Sequence, residues 1–153
     1  MNFTSIEICA GAGGQAIGLE QAGFDHLALV EIESIACETL RLNRPDWNVI
    51  NKDVKDFSAK QFKAVDLLAG GVPCPPFSIA GKQLGHLDDR DLFPEALRLV
   101  KECNPKAVML ENVRGLLDIN SKNTADTFLR NFTKWVTNAT GDFSMLLIME
   151  FRS

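Results

Sequence analysis

Phe3-Thr4-Ser5-Ile6-Glu7-Ile8-Cys9-Ala10-Gly11-Ala12-Gly13-Gly14-Gln15-Ala16 is the stretch that decides the fold. Phe3 to Cys9 is mostly apolar and reads as a buried strand. A glycine turn follows and opens a helical stretch with Ala16, Leu19 and Ala22 on one side and Gly23 as its stop. The rest of the chain repeats this alternation. His26 to Val30 is a second strand, ending at Glu31. Glu33 to Asn43 is a helix, with Ile32, Ala36 and Leu40 spaced by four and Pro45 as terminator. Val49-Ile50 is a short third strand, followed by Asp53, and Val65 to Ala69 is a fourth. Residues 70–91 read as a long loop rich in Gly, Pro and Asp. A helix from about Leu92 carries Phe93, Ala96, Leu97 and Val100 on one face and stops at Asn104-Pro105. Ala107 to Leu110 is a fifth strand, ending at Glu111-Asn112. Thr124 to Trp135 is a helix with Phe128, Phe132 and Trp135 on one face, and Met145 to Met149 is a final strand. Strands alternating with helices predict an α/β fold, a doubly wound parallel sheet with helices on both faces. Ligands in such folds sit at the carboxyl ends of the strands.

Composition agrees with one domain over residues 1–153, with 46% hydrophobic residues and near-zero mean hydropathy. No apolar run reaches the roughly 18 residues of a membrane helix. No basic segment precedes the first apolar run, so a signal peptide is not expected and a cytoplasmic location is. Cys9, Cys37, Cys74 and Cys103 form no C-x-x-C pair, and His26 and His86 lie far apart, so no metal site is expected. Without a secretory signal, the Asn-x-Thr triplets at Asn2, Asn131 and Asn138 carry no information. The formal charge of −4, with no basic run, argues on its own against tight nucleic-acid binding.

The turn Gly11-Ala12-Gly13-Gly14-Gln15-Ala16 satisfies G-x-G-x-x-[GA] between a strand and a helix. Glu31 lies 20 residues after Gly11, where an acid accepts hydrogen bonds from ribose hydroxyls, and Asp53 is placed to bind an adenine amino group. The pattern fits a nucleoside-containing cofactor, either a dinucleotide or S-adenosylmethionine, and does not choose between them. The plain alternative is a glycine-rich turn with Glu31 a solvated acid.

Gly70-Gly71-Val72-Pro73-Cys74-Pro75-Pro76-Phe77-Ser78 leaves the fourth strand with a cysteine held between prolines. Proline fixes its own φ and biases its neighbour toward extended geometry, so the sulfur is aimed by the backbone. Cys74 reads as a nucleophile, and the other three cysteines as structural thiols. Glu111 ends the neighbouring fifth strand and reaches the same pocket. A thiol and a carboxyl beside a methyl-donor site suggest addition of the thiolate to C6 of a pyrimidine. The acid at N3 draws charge from the ring so that C5 takes the methyl group, and base-assisted elimination then releases the cysteine.

These residues resemble the N-terminal catalytic half of the DNA (cytosine-5)-methyltransferases. Glu7-Ile8-Cys9-Ala10-Gly11-Ala12-Gly13-Gly14 is similar to the family's first motif, in which Phe often stands at the place of Cys9. Gly71 to Ser78 is similar to the catalytic Pro-Cys motif, with Pro75 where Gln is usual. Ile79-Ala80-Gly81-Lys82-Gln83 through Asp88-Asp89-Arg90 resembles the loop that closes over DNA, and Leu110-Glu111-Asn112-Val113 the Glu-Asn-Val motif. The resemblance runs over about residues 3–117. It implies a Rossmann-like S-adenosylmethionine-dependent methyltransferase fold, truncated on its C-terminal side, acting on cytosine in double-stranded DNA. S-adenosylhomocysteine would be the product. By resemblance the catalytic residues are Cys74, Glu111, Pro73, Asn112 and Ser78. The cofactor residues so implied are Cys9, Ala10, Gly11, Ala12, Gly13, Gly14, Glu31, Ile32, Asp53, Val54, Gly71, Pro73 and Leu92.

The chain carries no Q-x-R-x-R motif and no target-recognition domain, and the resemblance therefore implies a fragment or one half of a split enzyme, inactive or weakly active alone. A complementing C-terminal subunit is the expected partner. The alternatives are a catalytically inert scaffold subunit, an NAD-dependent oxidoreductase, or an RNA cytosine methyltransferase of the same fold.

Overall fold

A computed structural model describes residues 2–73, 92–111 and 144–147, the last by its backbone alone. Six strands form one sheet: β1 (Phe3–Ile8), β2 (Phe24–Glu31), β3 (Val49–Asn51), β4 (Leu67–Gly71), β5 (Ala107–Glu111) and β6 (Ser144–Leu147). Their spatial order is β3-β2-β1-β4-β5-β6, and every pairing is parallel. The chain thus winds outward from β1 in one direction and from β4 in the other. A right-handed crossover must then place the first helices on one face and the later one on the opposite face.

The three α-helices among the described residues obey this. α1 (Gly14–Gln21) and α2 (Ser34–Asn43) bury Ala16, Leu19, Cys37 and Leu40. Ala16 and Leu40 pack with Leu29, while Leu19 packs with Leu67 and Ala69. α3 (Phe93–Cys103) buries Ala96, Leu99, Val100 and Cys103 against Ile6, Ile8, Val30, Leu68 and Leu110 on the other face. Residues alternate between the two faces along each strand, so β1 sends Ile6 and Ile8 to the second face and Ser5 and Glu7 to the first. Local chemistry sets the helix ends. Pro94 lies in the first turn of α3, and Asn104 takes a left-handed C-cap with φ 47° before Pro105.

Two polar ties fix the layers. Asp66 accepts from Lys106 Nζ at 2.6 Å and from the Thr4 N–H at 2.8 Å, joining the starts of β1, β4 and β5. These bonds, the one from Lys106 first, hold the Asp66 carboxyl down at about 2. His26 Nε2 lies 2.9 Å from the Ala16 carbonyl and must carry the proton there, which leaves Nδ1 to accept from the Ser5 hydroxyl at 2.8 Å. α1 is thereby tied to both β1 and β2.

Within the described residues the expected elements recur with local differences, among them β4, which runs on through Gly70 and Gly71 into the stretch read as a loop. Cys9 is outside β1, in a bend with φ 53°. Ala22 is exposed, because α1 ends at Gln21. Ile32 precedes α2 and is 57% exposed, so Cys37 and Leu40 make the buried stripe. A three-residue 3-10 helix, Val54–Asp56, follows β3. The expected helix at 124–135 lies outside the described residues.

At the centre of the sheet Gly70 pairs with Ile8. A Cβ at Gly70 would stand 2.6 Å from both Ile8 Cγ1 and the Ile8 carbonyl oxygen. Glu7, one residue earlier on β1, is 1% exposed, and its Oε2 has no hydrogen-bond partner. Burial pushes its carboxyl up to about 8.

Gly70→Ala is expected to cost roughly 1–3 kcal/mol by urea denaturation, because the added methyl meets backbone that cannot rotate away. Glu7 makes stability fall with pH. Below the ordinary value of 4.5 the acid is neutral in both states. Between there and about 8 the unfolded chain ionises while the folded chain does not. Glu7→Gln should flatten that fall and leave the variant the more stable at pH 8. Denaturation across a pH series that gave parallel curves would rule Glu7 out as the source.

Candidate cofactor and active site

A cleft of about 510 Å³ opens at the carboxyl edge of the sheet. Successive strand ends line it: Cys9 after β1, Val30 to Glu33 at the end of β2, Asp53 to Lys55 after β3, and Gly71 and Pro73 at the exit of β4. Leu92, just before α3, completes it. The cleft therefore straddles the point where the winding reverses, as the topology requires.

Glu31 is the fixed post of this edge. It is 7% exposed, and its two oxygens take different backbone donors. Oε2 accepts the Gly11 N–H at 2.7 Å and Oε1 accepts the Glu33 N–H at 2.9 Å. One side chain thus pins the glycine turn and the entry to α2. A carboxylate offers about four lone-pair positions, so acceptor capacity remains for a ligand's hydroxyls. Gly13 has φ 92°, and a Cβ there would come within 2.6 Å of Leu40 Cδ2, so the turn is close-packed as well as left-handed.

Asp53 Oδ1 accepts the Lys55 N–H at 2.9 Å and caps the 3-10 helix that presents Val54 and Lys55 to the cleft. Cys9 faces the same space. Burial, then the charges of Glu31 and Asp53, push its thiol up to about 12, so it stays protonated at neutral pH and is a poor nucleophile.

Glu111, expected to reach the same pocket, is not among the residues that line the cleft; it pairs in register with Gly71, which does. Glu111 Oε2 lies 3.4 Å from the position a Cβ would take on Gly71, so the carboxyl overlies the β4 exit. Pro73 is exposed two residues further on. Cys74, Ser78 and Asn112 lie outside the described residues.

The structure gathers Cys9, Glu31, Ile32, Asp53, Val54, Gly71, Pro73 and Leu92 around one cleft. Ala10, Gly11, Ala12, Gly13 and Gly14 form the adjoining turn and are not among the lining residues. Val30, Glu33 and Lys55 line the cleft without having been anticipated. The signal for Lys55 was local, since an Asp after a strand caps the residue two further on.

The profile of the C-5 cytosine-specific DNA methylases matches residues 3–135. The chain belongs to this family. It is 67% identical over 134 residues to the Type II methyltransferase M.NgoMIV of Neisseria gonorrhoeae, covering 88% of this chain and 43% of that protein. Against M.Eco47II of Escherichia coli the identity is 51%, covering 82% of this chain and 30% of that one. A solved E. coli structure, described as a prophage-encoded DNA modification methyltransferase, superposes with TM-score 0.71 at 28% identity, covering 86% of this chain and 38% of its own. The Rossmann-like methyltransferase fold expected from the motifs is the fold observed. The chain spans less than half the length of these relatives. Among the described residues no helix is long and apolar enough to cross a membrane.

Because Glu31 holds backbone on both sides, Glu31→Ala is expected to destabilise the fold by about 1–3 kcal/mol, the cost of buried N–H donors left unpaired. Amide exchange at Gly11 should accelerate with it. Unchanged melting and unchanged exchange would show that the carboxylate is not the splint.

Proposed function

We propose that this chain carries the cofactor-binding and nucleophile-bearing part of a DNA (cytosine-5)-methyltransferase, with S-adenosylmethionine as methyl donor. The observation that carries the choice of cofactor is the charge of the cleft. Among the described residues Glu31, Glu33 and Asp53 line it against a single lysine, Lys55. Such a wall favours a sulfonium cation and disfavours the pyrophosphate of a dinucleotide. The volume fits a ligand of this size. Spare acceptor positions on Glu31 suit a ribose diol, and Asp53 stands at the nucleobase end. Cys9, Ile32, Val54, Gly71, Pro73 and Leu92 would supply the apolar and backbone contacts, beside the turn from Ala10 through Ala12 to Gly14.

The chemistry assigned to the chain's own residues follows the family's motifs. A cytosine extruded from the duplex meets Cys74, whose thiolate adds to C6. Glu111 holds a proton at N3 and withdraws charge from the ring, making C5 nucleophilic. S-adenosylmethionine supplies the methyl group and leaves as S-adenosylhomocysteine. A base, a role open to a water molecule, then takes the C5 proton, and the electron pair left behind expels the Cys74 thiolate and restores the ring. By the family's motifs Pro73 and Ser78 act beside the nucleophile Cys74, and Asn112 acts beside Glu111. In this reading DNA recognition and full activity require a segment equivalent to the remainder of the relatives, and a complementing C-terminal subunit is one partner that would provide it. The work is cytoplasmic in this reading.

Isothermal titration should show saturable binding of S-adenosylmethionine and none of NAD; the reverse would sink the assignment. With the C-terminal part of a relative added in trans, the chain should form a covalent adduct on DNA containing 5-fluorocytosine. Cys74→Ser should abolish that adduct, and an adduct that survives would exclude Cys74 as nucleophile.

A further inference from the structure

Arg98 stands on α3, outside the cleft, yet its guanidinium is committed to the cleft's wall. Nε donates to Glu95 Oε2 at 2.6 Å and Nη1 to Glu102 Oε1 at 2.7 Å. Nη2 donates to two carbonyls, Val54 and Phe57, at 2.9 Å each. Glu102 extends the tie, its Oε2 accepting from the Ser58 hydroxyl at 2.9 Å and the Ala59 N–H at 2.8 Å. The whole segment from Val54 to Ala59 is therefore fastened to α3 by one arginine and one glutamate.

That segment needs an external hold. Its only helix is a single 3-10 turn of three residues, capped by Asp53 and too short to define its own position. Asp53 and Val54 nevertheless line the cleft. Leu92, just ahead of α3, lines it too, so the helix that carries Arg98 also borders the cleft.

We propose that Arg98 is the positioning residue for the nucleobase end of the cleft. Through the Val54 and Phe57 carbonyls it sets where the Asp53 carboxylate stands relative to Leu92, and so how well a purine 6-amino group is read. This rests on the nucleoside cofactor reading above. The planar fork of arginine can face two carboxylates and two carbonyls at once, and a lysine ammonium cannot. A displacement of Asp53 by half an ångström or so would take a donor–acceptor pair out of the range of a good hydrogen bond. The loss should fall on ligands that carry the amino group and spare those that do not.

The test compares S-adenosylhomocysteine with its inosine counterpart, in which oxygen replaces the 6-amino group. The unaltered chain, Arg98→Lys and Arg98→Met are titrated calorimetrically with both, and each is melted without ligand. The unaltered chain should prefer the adenosine ligand. Arg98→Lys should shrink that preference about tenfold, roughly the worth of one hydrogen bond to a charged acceptor, with little change for the inosine ligand. If Arg98→Met does not fold, the lysine variant decides, since it keeps the stem and one charge. Equal weakening toward both ligands, an unchanged ratio in the lysine variant, or no preference in the unaltered chain would each overturn the proposal. Failure of the unaltered chain to bind either ligand would instead overturn the cofactor reading.

Discussion

At Gly70 the backbone of β4 lies directly against Ile8 of β1, whose carbonyl oxygen and Cγ1 both crowd the place a Cβ would take. The layout of the carboxyl edge follows from that contact. Past it, β1 turns through glycines into α1 on one face, while β4 leads through Gly71 and Pro73 toward α3 on the other. Two neighbouring parallel strands that send their chains to opposite faces leave a crevice between the departing segments. A larger residue at position 70 would widen the gap at its root and displace Glu31 and Glu111 relative to each other.

Backbone amides and fixed side chains do most of the holding at this edge. Glu31 is committed to two N–H groups, Asp53 to a third, and the Asp53 segment hangs on Arg98 and Glu102. The cleft is thus assembled before any ligand arrives, which spares a ligand the entropy of ordering it. The acidic balance of the chain has a local expression here, in carboxylates that are pinned in place around a pocket.

Much of this was legible in the sequence. The alternation of strands and helices, the glycine turn, and acids after successive strands gave the sheet and one edge of the cleft, because those signals are local and periodic. What the sequence withheld was non-local. Cys9 read as the end of β1, but the turn that follows forces it into a left-handed bend. Ala22 and Ile32 fit a helical stripe by spacing, yet both fall just beyond helix ends and face solvent. Glu31 read as a ligand acid, and its service to Gly11 and Glu33 depends on the packing of three segments. Arg98 carried no motif at all: its partners Val54 and Phe57 lie more than 40 residues away along the chain.

The four cysteines are chemically unequal in a way the folded interior decides. Cys37 and Cys103 are fully buried, and Cys9 faces a pocket flanked by carboxylates. Burial raises all three thiols, Cys9 and Cys103 to about 12. Raising a thiol in this way lowers the thiolate fraction that alkylating reagents attack. A maleimide or iodoacetamide probe applied to the folded chain would therefore label Cys9, Cys37 and Cys103 slowly, and fast labelling at any of the three would report that the packing around it had opened.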